Sequence, residues 1–252
     1  MLPRTVFFDL DNTLAVSKQA VAPDMAEALS KLIARTKVAV ISGGALEQLR
    51  TQVAEKLPAG TECRNFYLLP TSGGALYAYE QGAWQQIYQE QLSPEEVTEI
   101  TARVEEGARA TGLVDFSHEL YGQYIEARGA QVSLSALGQH APVDAKNAWD
   151  PTREKREQLQ TAIAPLLPNY DVKIGGTTTI DITKRGVNKA HGVRKFAAYS
   201  GIPVSDMLYV GDQLWPGGND DVVKESGIRT HTVVNPDETL QLITELINAP
   251  QA

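Results

Sequence analysis

The stretch from Thr5 to Leu14, TVFFDLDNTL, constrains the fold of this chain more than any other. A short apolar run ends abruptly in Asp9, Asp11 and Thr13. Such a run suits a strand buried on both faces, as in a parallel sheet, and α/β proteins gather their functional groups at the carboxyl edge of that sheet. Taken alone, the same residues also describe a strand followed by a polar turn, because Asp, Asn and Thr are ordinary turn and cap residues. The choice depends on what else reaches the same edge.

The chain supplies several candidates. After Pro23 and Asp24, the apolar positions Met25, Leu29, Leu32 and Ile33 recur at helical spacing, and a second apolar run follows from Val38 to Ile41. It stops at Ser42-Gly43-Gly44, after which Leu46, Leu49, Val53 and Leu57 read as a helix ended by Pro58. A hydroxyl and two glycines at a helix entrance make an anion-binding arrangement, since free N–H groups and the positive end of the helix dipole point at one spot. An ordinary strand-to-helix turn has the same composition. Two short strands, Phe66 to Leu69 and Ala75 to Tyr79, flank a turn from Thr71 to Gly74.

The composition then changes. Ser93-Pro94-Glu95-Glu96 combines an N-cap serine, a proline at the first helical position and a glutamate three residues on, which predicts a helix from Pro94 to about Ala110. Alternating strands over 123–128 and 131–136 join near Gly129 as a hairpin. Asp150-Pro151 is expected to cap a helix running to about Leu167, and strands follow at 172–174 and 178–183. Residues 86–186 thus repeat a helix with a strand pair and read as an α+β module inserted between 1–85 and 187–252. In the last segment, Asn188 to Tyr199 reads as a helix closed by Gly201, and the apolar strand Met207 to Val210 ends in Gly211-Asp212. A loop to Gly218, a short helix from Asn219-Asp220, a strand over 229–234 and a helix capped by Asn235-Pro236 complete the chain. A parallel-sheet core carrying an inserted module creates a cleft, the usual place for a small ligand.

Bulk properties exclude several function classes. The 252 residues are 42% hydrophobic, enough for an ordinary core, and a single cysteine, Cys63, excludes an internal disulfide and a thiolate metal cluster. His118, His140, His191 and His231 have no metal-ligand spacing, so no zinc site is expected. A net charge of −8 argues against a nucleic-acid scaffold, which needs basic surface to displace counterions. No apolar run reaches the roughly 18 residues of a membrane span, and Met1 to Arg4 does not read as a signal peptide, so a cytoplasmic protein is expected.

Asp9, Asp11, Asp212 and Asp220 each fall at or just beyond the predicted carboxyl end of a strand. Carboxylates brought that close repel by about 4 kcal/mol per pair at 4 Å and an effective dielectric of 20. A hard divalent cation removes the conflict, and oxygen-only ligands with room for water suit Mg²⁺. Ser42 with its glycine loop, Thr13, and Lys189 in the first turn of a helix complete an anion cradle. Singly, Lys189 reads better as a solvated surface charge, and Asp220 or Asp221 as a helix N-terminal charge. Their conjunction in this order points to phosphoryl transfer.

Asp9-Leu10-Asp11-Asn12-Thr13, Ser42-Gly43-Gly44, Lys189 and Gly211-Asp212 with Asn219-Asp220 resemble the four motifs of the haloacid dehalogenase (HAD) superfamily of phosphotransferases. The segments 211–220 (GDQLWPGGND), 175–181 (GGTTTID) and 128–135 (RGAQVSLS) resemble the eukaryotic-type phosphomannomutases more closely, and the likeness runs nearly end to end. The resemblance implies an α/β fold: a Rossmann-like HAD core with a parallel sheet plus an inserted α+β cap of the C2B type. It implies Asp9 as nucleophile, Asp11 as acid and base, and Ser42, Gly43 and Lys189 around the phosphoryl oxygens. Mg²⁺ would sit on Asp9, the Asp11 carbonyl and Asp212, with Asp220 orienting the metal water or Lys189. Lys18, Arg128, Lys146, Thr179 and Asp181 would contact substrate, a hexose phosphate, and the caps of two copies would pair into a homodimer.

The departures bear on the reaction. Two cap arginines of the resembled mutases align with Gln139 and Lys146, Lys18 replaces a third arginine, and Asn12 stands where glycine is usual. Neither Gln139 nor Lys146 offers the bidentate fork that grips a second phosphate. A Mg²⁺-dependent sugar-phosphate phosphatase is therefore the expectation. A phosphohexomutase using a hexose 1,6-bisphosphate is the alternative, and an inactive sugar-phosphate binding protein is a rival of another class.

Overall fold

The computed structural model describes residues 1–118 and 120–250 and divides into two compact units, residues 1–89 with 188–250 and residues 90–187. The first begins β1 (Thr5–Phe8), α1 (Pro23–Ile33), β2 (Lys37–Ile41), α2 (Leu46–Gln52), β3 (Phe66–Leu69), β4 (Ala75–Glu80) and β5 (Ala83–Gln89). The second contains α3 (Pro94–Thr111), β6 (Ile125–Ala127), β7 (Gln131–Ser135), α4 (Val143–Trp149), α5 (Glu154–Ile163), β8 (Tyr170–Ile174) and β9 (Thr179–Lys184). The chain returns to the first unit for α6 (Lys189–Ser200), β10 (Met207–Gly211), β11 (Arg229–Thr232) and α7 (Pro236–Asn248).

The first unit is built on a sheet of order β11-β10-β1-β2-β3-β4-β5, parallel from β11 to β3 and antiparallel in β4 and β5. Alternation along its central strands feeds two cores. Val6, Phe8, Val38, Val40, Phe66 and Leu68 pack with Leu29 and Leu32 of α1 and Ile243 of α7. Phe7, Ala39, Ile41, Leu69 and Tyr209 pack on the other face with Val193 and Phe196 of α6. Burial on both faces explains why these strands read as unbroken apolar runs.

The second unit is a four-stranded antiparallel sheet, β6-β7-β9-β8, with α3 and α5 on one face. Val132, Leu134, Ile180 and Ile182 meet Ile100, Val104, Leu159 and Ile163 there, each fully buried side chain contributing about 1.5–3 kcal/mol. The capping box of α3 forms in both directions: Ser93 Oγ accepts from the Glu96 amide (3.2 Å) and the Ser93 amide donates to Glu96 Oε2 (2.7 Å).

Several boundaries differ from the sequence expectation. The apolar pattern from Leu46 to Leu57 forms only two turns of α-helix before a 3-10 turn at Ala54–Lys56. Asp150 does cap a helix, but at a distance: Arg153 intervenes at φ 72°, α5 starts at Glu154, and the Asp150 carboxylate accepts the amides of Lys155 (3.0 Å) and Arg156 (3.1 Å). The short helix expected at Asn219-Asp220 is a 3-10 helix, Asp221–Ser226. Strand β5 and helix α4 had no counterpart in the sequence reading: β5 (AWQQIYQ) is a polar edge strand, and α4 is a two-turn helix.

Candidate active site

The register of the parallel strands decides which side chains meet. Phe8 of β1 stands opposite Val210 of β10 and Val40 of β2, so Asp9, Asp212 and Ser42, which follow those strands, emerge at one edge. Asp9 continues the ladder by donating its amide to the Val210 carbonyl (2.9 Å), and Ser42 donates its own to the Leu69 carbonyl (3.1 Å). Helix α6 starts at the same place, with the Asn188 side chain accepting the His191 amide (3.0 Å) as N-cap, and so delivers Lys189 in its first turn.

Lys189 is 1% exposed. Its Nζ donates to Asp9 Oδ1 (2.5 Å), Asp220 Oδ1 (2.6 Å) and the Tyr209 hydroxyl (3.1 Å). Asp220 is fully buried and its acceptors are engaged: Oδ1 also receives the Tyr209 hydroxyl (2.5 Å), and Oδ2 receives the Gln213 amide (3.0 Å). Asp221, the other sequence candidate for the fourth acid, instead pairs with Lys224 (2.8 Å) and accepts the Gly217 amide. Tyr209 was not singled out from sequence, because a tyrosine within an apolar strand reads as core.

The cluster carries surplus negative charge. Carboxylate oxygens of Asp9, Asp212 and Asp220 lie within 4.8 Å of one another around one ammonium. Burial pushes the Asp9 carboxyl well above the usual carboxylate range; Lys189 opposes the shift, and Asp220 and Asp212 add to it. Burial, reinforced by Asp220, likewise raises Asp212 to about 6. For Lys189, burial alone would favour the neutral amine, but Asp220 and Asp9 outweigh it and hold the pKa above the ordinary lysine value. Asp212 Oδ1 is buried without a hydrogen-bond partner. An orphaned carboxylate oxygen beside a second, excess carboxylate fits a hard cation with oxygen ligands.

Asp11 lies beyond this cluster. Its Oδ1 accepts the Lys18 amide (2.8 Å), and its Oδ2 is 3.9 Å from Lys18 Nζ. Asn12 has φ 61°, in the left-handed region that Asn tolerates, so the turn keeps a conformation usually reserved for glycine. Thr13 is fully buried, and its Oγ1 has no hydrogen-bond partner. Ser42 Oγ accepts the Gly44 amide (3.2 Å) across Gly43. Next to this loop, Thr71 and Ser72 both have positive φ, 51° and 56°, and donate their amides to the Gly44 and Ser42 carbonyls (2.9 and 2.8 Å).

The haloacid dehalogenase-like hydrolase family model matches residues 6–215, which contain Asp9, Ser42, Lys189 and Asp212. The chain belongs to this HAD-like family. It is accordingly a phosphoryl-transfer enzyme with a Rossmann-like HAD core and a cap. Among similar HAD-like proteins, the spinach (Spinacia oleracea) phosphomannomutase is 24% identical over 247 residues, covering 95% of this chain and 94% of the relative. The Saccharomyces cerevisiae phosphomannomutase is 22% identical, covering 96% and 94%. The solved structure of Plasmodium falciparum IMP-nucleotidase superposes with a TM-score of 0.70 at 18% identity, covering 97% of this chain and 69% of the other.

The remaining predicted residues belong to the HAD cap. Asp181 and Thr179 lie on the face of β9 opposite Ile180 and Ile182, and Asp181 Oδ1 accepts from Ser133 Oγ (2.7 Å), itself an acceptor for Gln131 Nε2 (2.7 Å). Arg128 Nε donates to Glu126 Oε2 (2.5 Å), the Gln139 side chain donates to the same oxygen, and Lys146 Nζ donates to the Gln139 carbonyl (2.8 Å). The fold therefore brings Arg128 and Gln139 onto one glutamate, with Lys146 held on the Gln139 main chain. Among the described residues, no helix is long and apolar enough to cross a membrane.

Proposed function

We propose that this HAD-family enzyme is a Mg²⁺-dependent phosphatase of phosphorylated sugars. Asp9 attacks phosphorus and becomes an aspartyl phosphate, Asp11 protonates the departing sugar oxygen, and Asp11 then takes a proton from the water that hydrolyses the acyl phosphate. Asp9, Asp212 and the Asp11 main-chain carbonyl would hold Mg²⁺, which supplies charge neutralisation to the phosphoryl oxygens. Ser42, Gly43 and Lys189 complete that neutralisation from the protein side, where electrostatic stabilisation matters most for phosphoryl transfer. Asp220, with its oxygens already engaged, holds Lys189 rather than the metal. Thr179 and Asp181 recognise sugar hydroxyls, and Lys18, Arg128 and Lys146 contribute cationic contacts.

The observation carrying hydrolysis over mutase chemistry is the Glu126 cluster. Arg128 already spends its Nε on Glu126, and Gln139 and Lys146 stand in place of two guanidinium forks. Holding a bisphosphate in both orientations needs such forks. Full-length similarity to phosphomannomutases favours phosphohexomutase activity as the second reading. Purified protein with Mg²⁺ and mannose 1-phosphate, with and without a hexose 1,6-bisphosphate, separates them. Free phosphate independent of the bisphosphate is expected; bisphosphate-dependent isomerisation with little free phosphate would overturn the hydrolase reading. An enzyme silent on all sugar and aryl phosphates would overturn both.

A further inference from the structure

We propose that Tyr209 is a positioning residue for phosphoryl transfer, its hydroxyl fixing the orientation of the Lys189 ammonium. This rests on the phosphotransfer reading of the site. A lysine ammonium has three N–H donors, and those of Lys189 reach Asp9 Oδ1, Asp220 Oδ1 and the Tyr209 oxygen. The tyrosine proton is committed to Asp220 Oδ1 at 2.5 Å, which leaves the phenol lone pairs for Lys189. Two donors are thereby anchored on Asp220 and Tyr209, and the third is held on Oδ1 of the Asp9 carboxylate, the nucleophile of the phosphotransfer reading.

Packing makes this arrangement specific. Tyr209 is fully buried in β10, and its ring is wedged among the aromatic and aliphatic groups on the α6 side of the sheet. Gly211 supplies the room: a Cβ there would fall 2.6 Å from Asp220 Oδ2 and 2.9 Å from Tyr209 Cε1. Fully buried, with its hydroxyl on Lys189 and Asp220, Tyr209 acts through Lys189.

Tyr209→Phe removes one oxygen and keeps the ring. With wild type, Tyr209→Phe, Asp220→Asn and the double variant, kcat and KM are measured on an aryl phosphate with saturating Mg²⁺, alongside thermal melting. Tyr209→Phe is expected to lower kcat about tenfold, equivalent to about 1.4 kcal/mol, with KM within about twofold. On the Asp220→Asn background the same change should cost less than about twofold, because the anchor through which it acts is already broken. A kcat within twofold of wild type, full additivity with Asp220→Asn, or a Tyr209→Phe protein that does not fold would overturn the proposal, the last by showing the hydroxyl to be structural. A crystal structure of Tyr209→Phe gives a readout independent of turnover. Lys189 Nζ is expected off its position on Asp9, and an unmoved ammonium overturns the proposal. An inactive wild type would sink the phosphatase reading while leaving this structural comparison intact.

Discussion

Lys189 Nζ lies 2.5 Å from Asp9 Oδ1, a contact between residues 180 positions apart that ties the first strand to the amino end of α6. Lys189 shares its charge between Asp9 and Asp220, whereas Lys189 is the cation that opposes the burial cost of the Asp9 carboxylate. A buried ammonium or carboxylate without a partner is penalised by several kcal/mol, so each stabilises the charged form of the other. The excess of carboxylate over ammonium at this spot orders the predictions that follow.

Replacing Asp9 by Asn removes the nucleophile and one of the crowded charges together. Phosphate release should fall by about 10³-fold or more. The metal-free melting temperature should stay the same or rise, because burial already disfavours the Asp9 carboxylate. Turnover and calorimetry on the same preparation check both halves.

Lys189→Met has the opposite effect on the fold. It leaves three buried or half-buried carboxylates facing one another, and breaking a buried ion pair from one side costs about 3–5 kcal/mol. Urea unfolding should show that loss without Mg²⁺ and a smaller loss in millimolar Mg²⁺.

Asp212 gives a pH window. Its pKa rises from the ordinary 3.8 to about 6 in the folded protein, so the native state binds more protons than the unfolded chain between those values. The contribution of this group to stability is therefore lost as pH rises from about 4 to 6, in the metal-free protein. Cation binding requires the ionised form, so Mg²⁺ affinity should increase across the same interval. Thermal melts at pH 4.5, 5.5 and 6.5, with and without Mg²⁺, should converge at low pH and separate at high pH.

Gly192 in α6 faces Gly73 in the strained turn beside the Ser42 loop. A Cβ on Gly192 would come within 2.9 Å of Gly73 Cα and of Ile41 Cδ1. Gly192→Ala should destabilise by about 1–3 kcal/mol, as overpacking does, and lower kcat by shifting the turn of α6 that carries Lys189. Chemical denaturation and steady-state kinetics test the pair of effects.

Much of this molecule could be read from residue order. The apolar runs ending at Asp9, Ser42 and Asp212 were visible because strands buried on both faces leave no polar interruption until the carboxyl edge. Ser93, Asn188 and Asn235 announced three helix starts, since a cap is a local contact over two or three residues. What escaped was non-local or unpatterned. Asp150 caps α5 across an intervening left-handed Arg153, and β5 lacks alternation because it lies at a sheet edge. Asp220 and Asp221 are adjacent and chemically equal in sequence, and only the packed loop turns one toward Lys189 and the other toward Lys224. Tyr209 could not be distinguished from a core aromatic without knowing which groups its hydroxyl meets.

The pairing of β1 with β10, Thr5 opposite Met207, has a consequence for biosynthesis. The strand that leads into Asp9 is translated before residues 90–187, a contiguous unit with its own apolar centre, yet one of its two sheet neighbours is translated only after them. That unit has all its strands available while the first is still waiting for β10. The nucleophile, its lysine and Asp212 are consequently assembled only after the second unit has been made, and a nascent chain that stops before Asp220 contains parts of a phosphotransferase but no working one.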